Sequence, residues 1–259
     1  LMFKHEKMII DEVVKHFFHK DMLLRNVKRS LVDDFIVWRR NHVVSAYDNT
    51  RTGGRVSDAT VNRTIAVLSY FFNWTIKKGY FHDVNPFYLA KLREVNRREV
   101  NLTSENIDEL LNKEYQQNES LFQIVSIALL SGMRRSEIFS LKWSEVNFDA
   151  LCIQLSQYKT KSKRGRAIPI IPDLKDILLL MKNNNPSGDK VITGMTPDML
   201  HKQWNKLRTQ VSFGKLDDGT WLRFHDLRHL CAQHYLNNGI SLEDIQTLLG
   251  HESVTTTQQ

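Results

Sequence analysis

The densest group of ionisable side chains in the sequence is a six-residue stretch near its end, Phe224 to His229. His225 and Arg228 stand three positions apart, so a helix that begins here would carry both on one face. The apolar spacing that follows, up to Gly239, predicts a helix of about three turns. Because the free backbone amides of a helix start attract anions, we expect this stretch to bind an oxyanion, most naturally a phosphate.

A zinc site is the chemical alternative for the same stretch. His225 and His229 are four residues apart with Asp226 after the first, which imitates the H-E-x-x-H zinc helix. Such a site would need a third protein ligand, and Arg228 would place a cation beside it. The zinc alternative and an ordinary solvated helix start both stay open, and the rest of the chain must decide.

Three further clusters in the sequence carry cationic or titratable side chains. Arg134 follows a nearly wholly apolar helix at 121–130, a basic turn spans Lys159 to Arg166, and His251 follows the helix-ending Gly250. Each has an ordinary explanation alone, such as pairing of Arg134 with a nearby acid. Together they favour one site, because two guanidinium groups suit the two non-bridging oxygens of a phosphodiester. Two histidines and a lysine could move protons near neutral pH.

The first part of the chain, 1–97, predicts a small helical bundle. Apolar stripes recur at helical spacing at 9–18 and at 31–38, the second after a possible Ser30 cap, and a long helix opens at Ser57. Basic positions in this part could follow a DNA backbone: Arg51, Arg55, Arg63 and Lys77. A polar connector follows, with the linker proper at 98–102.

The second part, 103–259, predicts further helices around a small β-hairpin. Thr103 or Ser104, Thr196 before Pro197, and Ser241 are each placed to cap a helix. Between them, alternating apolar residues at 151–155 and 167–170 predict two strands that flank the basic turn. The fold class expected is mainly α with a small antiparallel β-sheet, in two domains.

Composition limits the possible functions. The 259 residues include 36 Lys and Arg against 29 Asp and Glu, a formal net charge of +7 that suggests a polyanionic partner. Cys152 and Cys231 lie in hydrophobic patterns and are expected to be buried free thiols in a reducing compartment. Because no apolar run nears the ~20 residues of a membrane span, we expect a soluble cytoplasmic protein.

The order of these motifs resembles the catalytic domain of the tyrosine recombinases, the family of phage and transposon integrases and chromosome-dimer resolvases. The resemblance rests on the segments 131–137, 166–169, 225–229 and 248–253, and it covers the chain from about residue 100 to its end. Over 1–97 it is weaker and rests on the helical plan of the family's core-binding DNA-binding domain.

Site roles follow from the resemblance, residue by residue. It implies that Arg134 and Arg228 clamp the scissile phosphate, that His225 acts as acid or base, and that His251 bonds a phosphate oxygen. Glu137 is expected to be structural.

The basic turn would supply a lysine that protonates the 5′ leaving oxygen. Counting forward from the preceding strand favours Lys159, and counting back from the following strand favours Lys161; we prefer Lys159. Lys163 and Arg164 on the same turn are expected to contact DNA.

The nucleophilic tyrosine is the one departure from the family pattern. It is expected directly after Gln259, where this sequence stops, so the chain as given should bind DNA without covalent cleavage. Tyr158 and Tyr235 are expected to be structural.

The partners implied are a double-stranded DNA recombination site and other recombinase protomers, as a tetramer on two sites, with no cofactor, metal or membrane. The reaction implied is transesterification through a 3′-phosphotyrosyl link, in a prokaryotic mobile genetic element or resolvase. A non-catalytic DNA-binding protein and a type IB topoisomerase remain alternatives.

Overall fold

A computed structural model describes residues 7, 11, 13–19, 21–41, 56–94, 100, 102–112, 118–156, 165–184 and 188–250. The chain divides into two compact units, Leu1–Asn96 and Arg97–Gln259. Each unit has its own hydrophobic core and is described by itself.

The first unit is helical. Helix α1 spans Arg29–Asn41 and helix α2 spans Asp58–Lys77. The long second helix begins as predicted, because the Ser57 hydroxyl accepts the backbone N–H of Thr60 at 3.3 Å. The predicted Ser30 cap is wrong: α1 begins one residue earlier, so Ser30 lies inside its first turn.

Aromatic side chains form much of the core of the first unit. Phe18, Phe35, Phe72 and Phe87 are buried, and neighbouring rings lie 5.6 to 6.4 Å apart between centroids. Asn62 is among the buried polar residues of α2, and its side chain bonds the backbone of Leu92 in both directions at 2.8 and 3.0 Å. It therefore fixes the segment that leaves this unit.

The predicted DNA-facing residues of the first unit divide into two groups. Arg63 and Lys77 are exposed on α2, whereas Arg51 and Arg55 lie outside the described residues. Their part in DNA binding stays a prediction.

The second unit is mainly helical with a three-stranded sheet, as the sequence predicted. Its elements in chain order are α3 (Ser104–Leu111), α4 (Glu119–Ser131), α5 (Arg135–Ser140), β1 (Val146–Asn147), β2 (Cys152–Leu155), β3 (Arg166–Pro169), α6 (Pro172–Asn184), α7 (Pro197–Leu207), α8 (Asp226–Asn237) and α9 (Leu242–Leu249).

Helix α4 is the centre of this unit. Its side chains are apolar nearly all round, and it packs against α6, α7 and α8. The Asn118 side chain accepts the N–H of Leu121 at its start, and Gly132 ends it in the left-handed conformation with φ +62°. Both ends were predictable, because they use the residue types that caps require.

The sheet has the order β1-β2-β3 and is antiparallel throughout. Ile153 pairs with Ile168, and both are buried, so the two predicted strands and their antiparallel pairing are confirmed. Residues 157–164, which include most of the basic turn predicted at Lys159–Arg166, lie outside the described residues, whereas Arg166 is the first residue of β3. Cys152 is partly exposed, contrary to expectation, because side chains alternate along β2 and the core takes Ile153 and Leu155.

The remaining predicted caps are confirmed. Thr103, Thr196 and Ser241 each accept a backbone N–H of the first helical turn at 3.1 to 3.3 Å. Within the described ranges, the structure has no helix of the length and apolar character that crossing a bilayer requires.

Candidate phosphate-binding site

Arg134 is held by an acid one turn later and by the end of the chain's last described helix. It is the N-cap residue of α5, and its backbone N–H and its Nη1 donate to the two carboxylate oxygens of Glu137 at 2.8 and 3.0 Å. Its Nη2 donates to the carbonyl of Gly250 at 3.0 Å, across 116 positions of sequence. The predicted Glu137 pairing is therefore one part of a longer-range arrangement.

Arg228 lies in the first turn of α8 and is 2% exposed. Its Nη1 donates to the carbonyl of Gly132 at 2.6 Å, and its Nη2 donates to the carbonyl of Leu249. Because Leu249 and Gly250 are adjacent, the two predicted clamp arginines converge on one helix end.

A third guanidinium, that of Arg166, lies beside Arg134 and Arg228, although the sequence did not predict it as a site residue. Arg166, the first residue of β3, donates from Nη1 and Nη2 to the two oxygens of Glu137 at 3.0 and 2.7 Å, and from Nε to the carbonyl of Leu248 at 2.8 Å. The sequence could have indicated this position. Side chains two residues apart on a strand share a face, so Arg166 lies on the same face as the buried Ile168 and Ile170 and faces inward.

The last turn of α9 is thus capped by side chains of distant elements. The final carbonyls of a helix have no partner within it, and here Leu248, Leu249 and Gly250 each accept from a different arginine. Cationic groups at a helix C-terminus also interact favourably with its dipole. Gly250 ends α9 in the left-handed conformation with φ +65°. His251 itself lies outside the described residues.

The charges of this cluster do not balance. Three guanidinium groups surround one carboxylate, Glu137, which is 1% exposed. Burial and the positive charges of Arg134 and Arg166 lower the pKa of Arg228 to about 9, so it stays charged at neutral pH. Burial would raise the pKa of Glu137, but hydrogen bonds and charge from Arg166 and Arg134 outweigh it and hold the pKa below its ordinary value. The excess positive charge suits an anion.

Gly132 lets three helices meet at this point. A Cβ on Gly132 would overlap the side chain of Leu249 and lie 3.3 Å from the sulfur of Cys231. Its carbonyl also orients Arg228. Glycine is therefore required here for two reasons, the positive φ of the backbone and the close approach of the Leu249 and Cys231 side chains.

His225 is the N-cap residue of α8 and is exposed at the rim of the cluster. Loss of hydration and the nearby charges of His229 and Arg228 lower its pKa, and Asp226 only partly offsets this. A neutral imidazole can accept a proton at neutral pH, as a general base must.

The backbone amides of this helix start are not the anion site that the sequence predicted. The N–H groups of Asp226, Leu227 and Arg228 donate to carbonyls of the preceding turn at 2.9 to 3.3 Å. Side-chain guanidinium groups, rather than free amides, are left to hold an anion.

The zinc alternative gains no support from the described residues. The rings of His225 and His229 lie 5.7 Å apart between centroids, edge to face. No group of three or more His, Cys, Asp or Glu side chains within the described part of the chain could hold a metal ion.

Two other reactive side chains near the cluster are buried and bonded within the fold. The Tyr235 hydroxyl donates to the carbonyl of Leu130 at 3.2 Å, and burial raises its pKa. Burial also raises the pKa of the Cys231 thiol to about 12, so it stays protonated. Tyr158 lies outside the described residues.

The structure therefore brings together Arg134, His225 and Arg228 of the predicted site. The hairpin residues Lys159, Lys161, Lys163 and Arg164 lie outside the described residues, as His251 does.

Comparison with known proteins agrees with this fold. The model of the phage integrase family matches residues 100–259, and the chain belongs to that family, the tyrosine recombinases. A tyrosine recombinase of Thermosipho africanus (strain TCF52B) is 27% identical over 257 residues, which are 95% of this chain and 84% of that protein.

Solved structures share the fold over nearly the whole chain. A lambda integrase dimer bound to a COC′ core site matches with a TM-score of 0.76 and 19% identity, covering 100% of this chain and 70% of that one. A lambda integrase tetramer bound to a Holliday junction matches with a TM-score of 0.73 and 19% identity, covering 98% and 72%.

Proposed function

We propose that this protein is a site-specific DNA recombinase whose described arginines hold the scissile phosphate of duplex DNA. The observation that carries the proposal is the convergence of Arg134, Arg166 and Arg228, from three separate elements, around one carboxylate and one helix end. A phosphodiester brings a negative charge to a cluster in which the three guanidinium groups outnumber the one carboxylate.

Arg134 and Arg228 are the two proposed phosphate ligands. A guanidinium carries five N–H donors, and the contacts above use two side-chain nitrogens of each group. Donors therefore remain for a phosphate oxygen without loss of the bonds that orient the groups. Fixed donors of this kind stabilise charge that develops in a phosphoryl-transfer transition state.

Proton transfer would fall to three further groups. His225 at the rim is neutral near pH 7 and is placed to take or return a proton. The proposal assigns protonation of the 5′ leaving oxygen to Lys159, with Lys161 as the alternative, and a phosphate hydrogen bond to His251. These last positions rest on the family resemblance alone.

The covalent step needs a nucleophilic tyrosine, which the family resemblance places directly after Gln259. In the proposed reaction a tyrosine hydroxyl directly after Gln259 loses its proton and attacks phosphorus, and the 5′ oxygen leaves with a proton. The bond formed is a 3′-phosphotyrosyl ester, which conserves the energy of the broken phosphodiester for rejoining.

The proposed partners are duplex DNA and further copies of the recombinase. Integrase relatives of the same fold were solved as a dimer on a core site and as a tetramer on a Holliday junction. We assign 1–97 to a core-binding DNA-binding domain, 98–102 to a linker and 103–259 to the catalytic domain. Arg63 and Lys77 are exposed and suited to contact DNA phosphates from the first of these.

Selection of duplexes from a random-sequence library tests the binding part of this proposal. We expect the 259-residue chain to enrich a shared sequence. Failure to enrich any sequence, at low as well as moderate salt, contradicts a site-specific function.

A version with tyrosine placed directly after Gln259 tests the chemical part. We expect it to attach covalently to nicked duplexes of the selected sequence, and phenylalanine at the same position to prevent attachment. Binding with no attachment favours the non-catalytic DNA-binding alternative. Relaxation of supercoiled DNA by the monomer with no site preference favours a type IB topoisomerase.

A further inference from the structure

Arg166 engages every nitrogen of its guanidinium with the protein itself. Nη1 and Nη2 form a bidentate pair with Glu137, and Nε donates to the carbonyl of Leu248. Its side chain is 4% exposed. It cannot turn toward a phosphate without abandoning Glu137, so its contribution must act through other residues.

The first route runs through Glu137 to Arg134. The carboxylate that Arg166 grips also accepts the backbone N–H and Nη1 of Arg134. A bidentate guanidinium–carboxylate pair fixes the plane of both groups. The plane of Glu137 in turn decides the direction in which Arg134 points.

The second route runs through the last turn of α9. Arg166 holds the carbonyl of Leu248, and the next two carbonyls of the same turn hold Arg228 and Arg134. Both proposed phosphate ligands therefore depend on a helix end that Arg166 anchors from β3.

The position of Arg166 in the chain adds a third connection. It is the first residue of β3, directly after the turn that carries the basic residues 159–164. Anchoring Arg166 to Glu137 and α9 therefore ties the first residue of β3 to the arginine cluster.

We propose that Arg166 is a positioning residue that locks strand β3, Glu137 and the end of α9 together, so that Arg134 and Arg228 are preset for a phosphate. This inference rests on the proposed function, since it names a residue that serves the same site. Lysine cannot replace it, because one ammonium group cannot form a planar fork to Glu137 and also reach Leu248.

The test follows the arginine side chains directly by nuclear magnetic resonance. The Nε–Hε signals of Arg134 and Arg228, assigned with Arg134→Lys and Arg228→Lys, are titrated with inorganic phosphate in the wild type, Arg166→Lys and Arg166→Gln. Arg135→Gln is the matched control, since it removes the same charge from an exposed neighbour on α5. Thermal unfolding of each variant is measured in parallel.

We expect both Arg166 variants to bind phosphate about tenfold more weakly, roughly the loss of one charge-assisted hydrogen bond, and to exchange the Arg134 Nε proton faster. The control should match the wild type in both readouts. A variant that loses thermal stability but keeps the wild-type phosphate affinity and exchange rate would show a merely structural role and overturn the inference.

Two further outcomes separate the possible failures. If the wild-type signals do not respond to phosphate, the proposed function fails at this site and the inference falls with it. If the single variants do not fold, Glu137→Gln combined with Arg166→Met removes both buried charges together. This double variant should fold and bind phosphate weakly, and wild-type affinity in it would overturn the inference.

Discussion

Glu137 is a single buried carboxylate that binds the guanidinium groups of both Arg134 and Arg166, so a change at any of the three residues affects the other two. Removal of one partner of a buried ion pair leaves an uncompensated charge and typically costs about 3–5 kcal/mol. Glu137 therefore matters to the stability of the second unit as well as to the geometry of Arg134. The sequence reasoning treated it as structural, and its burial and contacts agree with that interpretation.

Arg228→Lys tests the clamp at the scale of one residue. We expect this change, in the version with tyrosine after Gln259, to reduce covalent attachment about 100-fold or more, because one ammonium cannot replace the planar fork. Binding to duplex DNA should change little, since most contacts would be to other phosphates. The exposed Arg135→Lys is the control, and attachment at the wild-type rate in Arg228→Lys would remove Arg228 from the site.

His225 gives a pH dependence with a defined sign. Its folded pKa lies below its ordinary value of 6.5, so between the two values the unfolded chain binds more protons than the folded one. Stability from the neutral imidazole is thus present above about pH 6.5 and is lost as the pH falls below it. Unfolding temperatures of the wild type and His225→Gln, measured across pH 5–8, should differ most at low pH, where only the wild type loses stability by protonation of this side chain; a constant difference would contradict the shift.

Helix ends, more than helix bodies, determine the local geometry of the second unit. Gly132 ends α4 and lies against α8 and α9, while Gly250 ends α9 among the arginines. Both glycines have positive φ, and both adjoin residues of the cluster. The cluster is therefore built where the ends of α4 and α9 meet.

Gly132→Ala tests this packing against a matched glycine. Gly239 also has positive φ but has open space around it, so Gly239→Ala should cost about 1–2 kcal/mol of unfolding free energy from backbone strain alone. Gly132→Ala should cost about 2–5 kcal/mol, since overpacking against Leu249 and Cys231 adds about 1–3. Denaturant unfolding measures both, and equal losses would show that the close approach carries no cost.

The elements were largely predictable because local chemistry decides them. Ser57, Thr103, Thr196 and Ser241 have side chains that accept the orphan amides of a helix start, and all four are caps. The hairpin followed from alternation, since burial on one face repeats every second residue. The Ser30 error was small and local, because helix ends depend on neighbouring contacts.

The site was less predictable because tertiary contacts decide it. Arg166 was predicted only as part of a basic turn. Asn62 in the first unit is a similar case: it is polar yet buried, because its amide forms hydrogen bonds with the backbone N–H and C=O of Leu92. The backbone amides at the start of α8 were expected to bind anions, but they donate hydrogen bonds to carbonyl groups of the preceding turn. In each case the missing information was which partner lay across the fold.

Net charge gives a prediction for the whole molecule. With a formal +7 and a duplex as proposed partner, binding should release condensed counterions from each phosphate that is neutralised. We expect the affinity for duplex DNA to fall about 10³–10⁵-fold between 50 and 200 mM salt, as for 6–10 phosphate contacts. Fluorescence anisotropy measures this slope, and a flat response would count against phosphate contacts as the main source of affinity.

The two compact units carry different parts of the proposed function. The first has a core rich in aromatic rings and exposed basic side chains on α2, but none of the arginines in the cluster. The second contains the arginines, Glu137 and the helix end that orders them. Recognition by the first and chemistry by the second is the division that we propose.

The most direct test of the central claim is the position of a bound oxyanion. Crystals of the chain soaked in tungstate, a tetrahedral stand-in for phosphate, would reveal the anion by anomalous scattering. The account predicts a tungstate within hydrogen-bonding distance of both Arg134 and Arg228, and its loss in Arg228→Lys. Tungstate bound only elsewhere, with the arginine cluster vacant at saturating concentration, would contradict it.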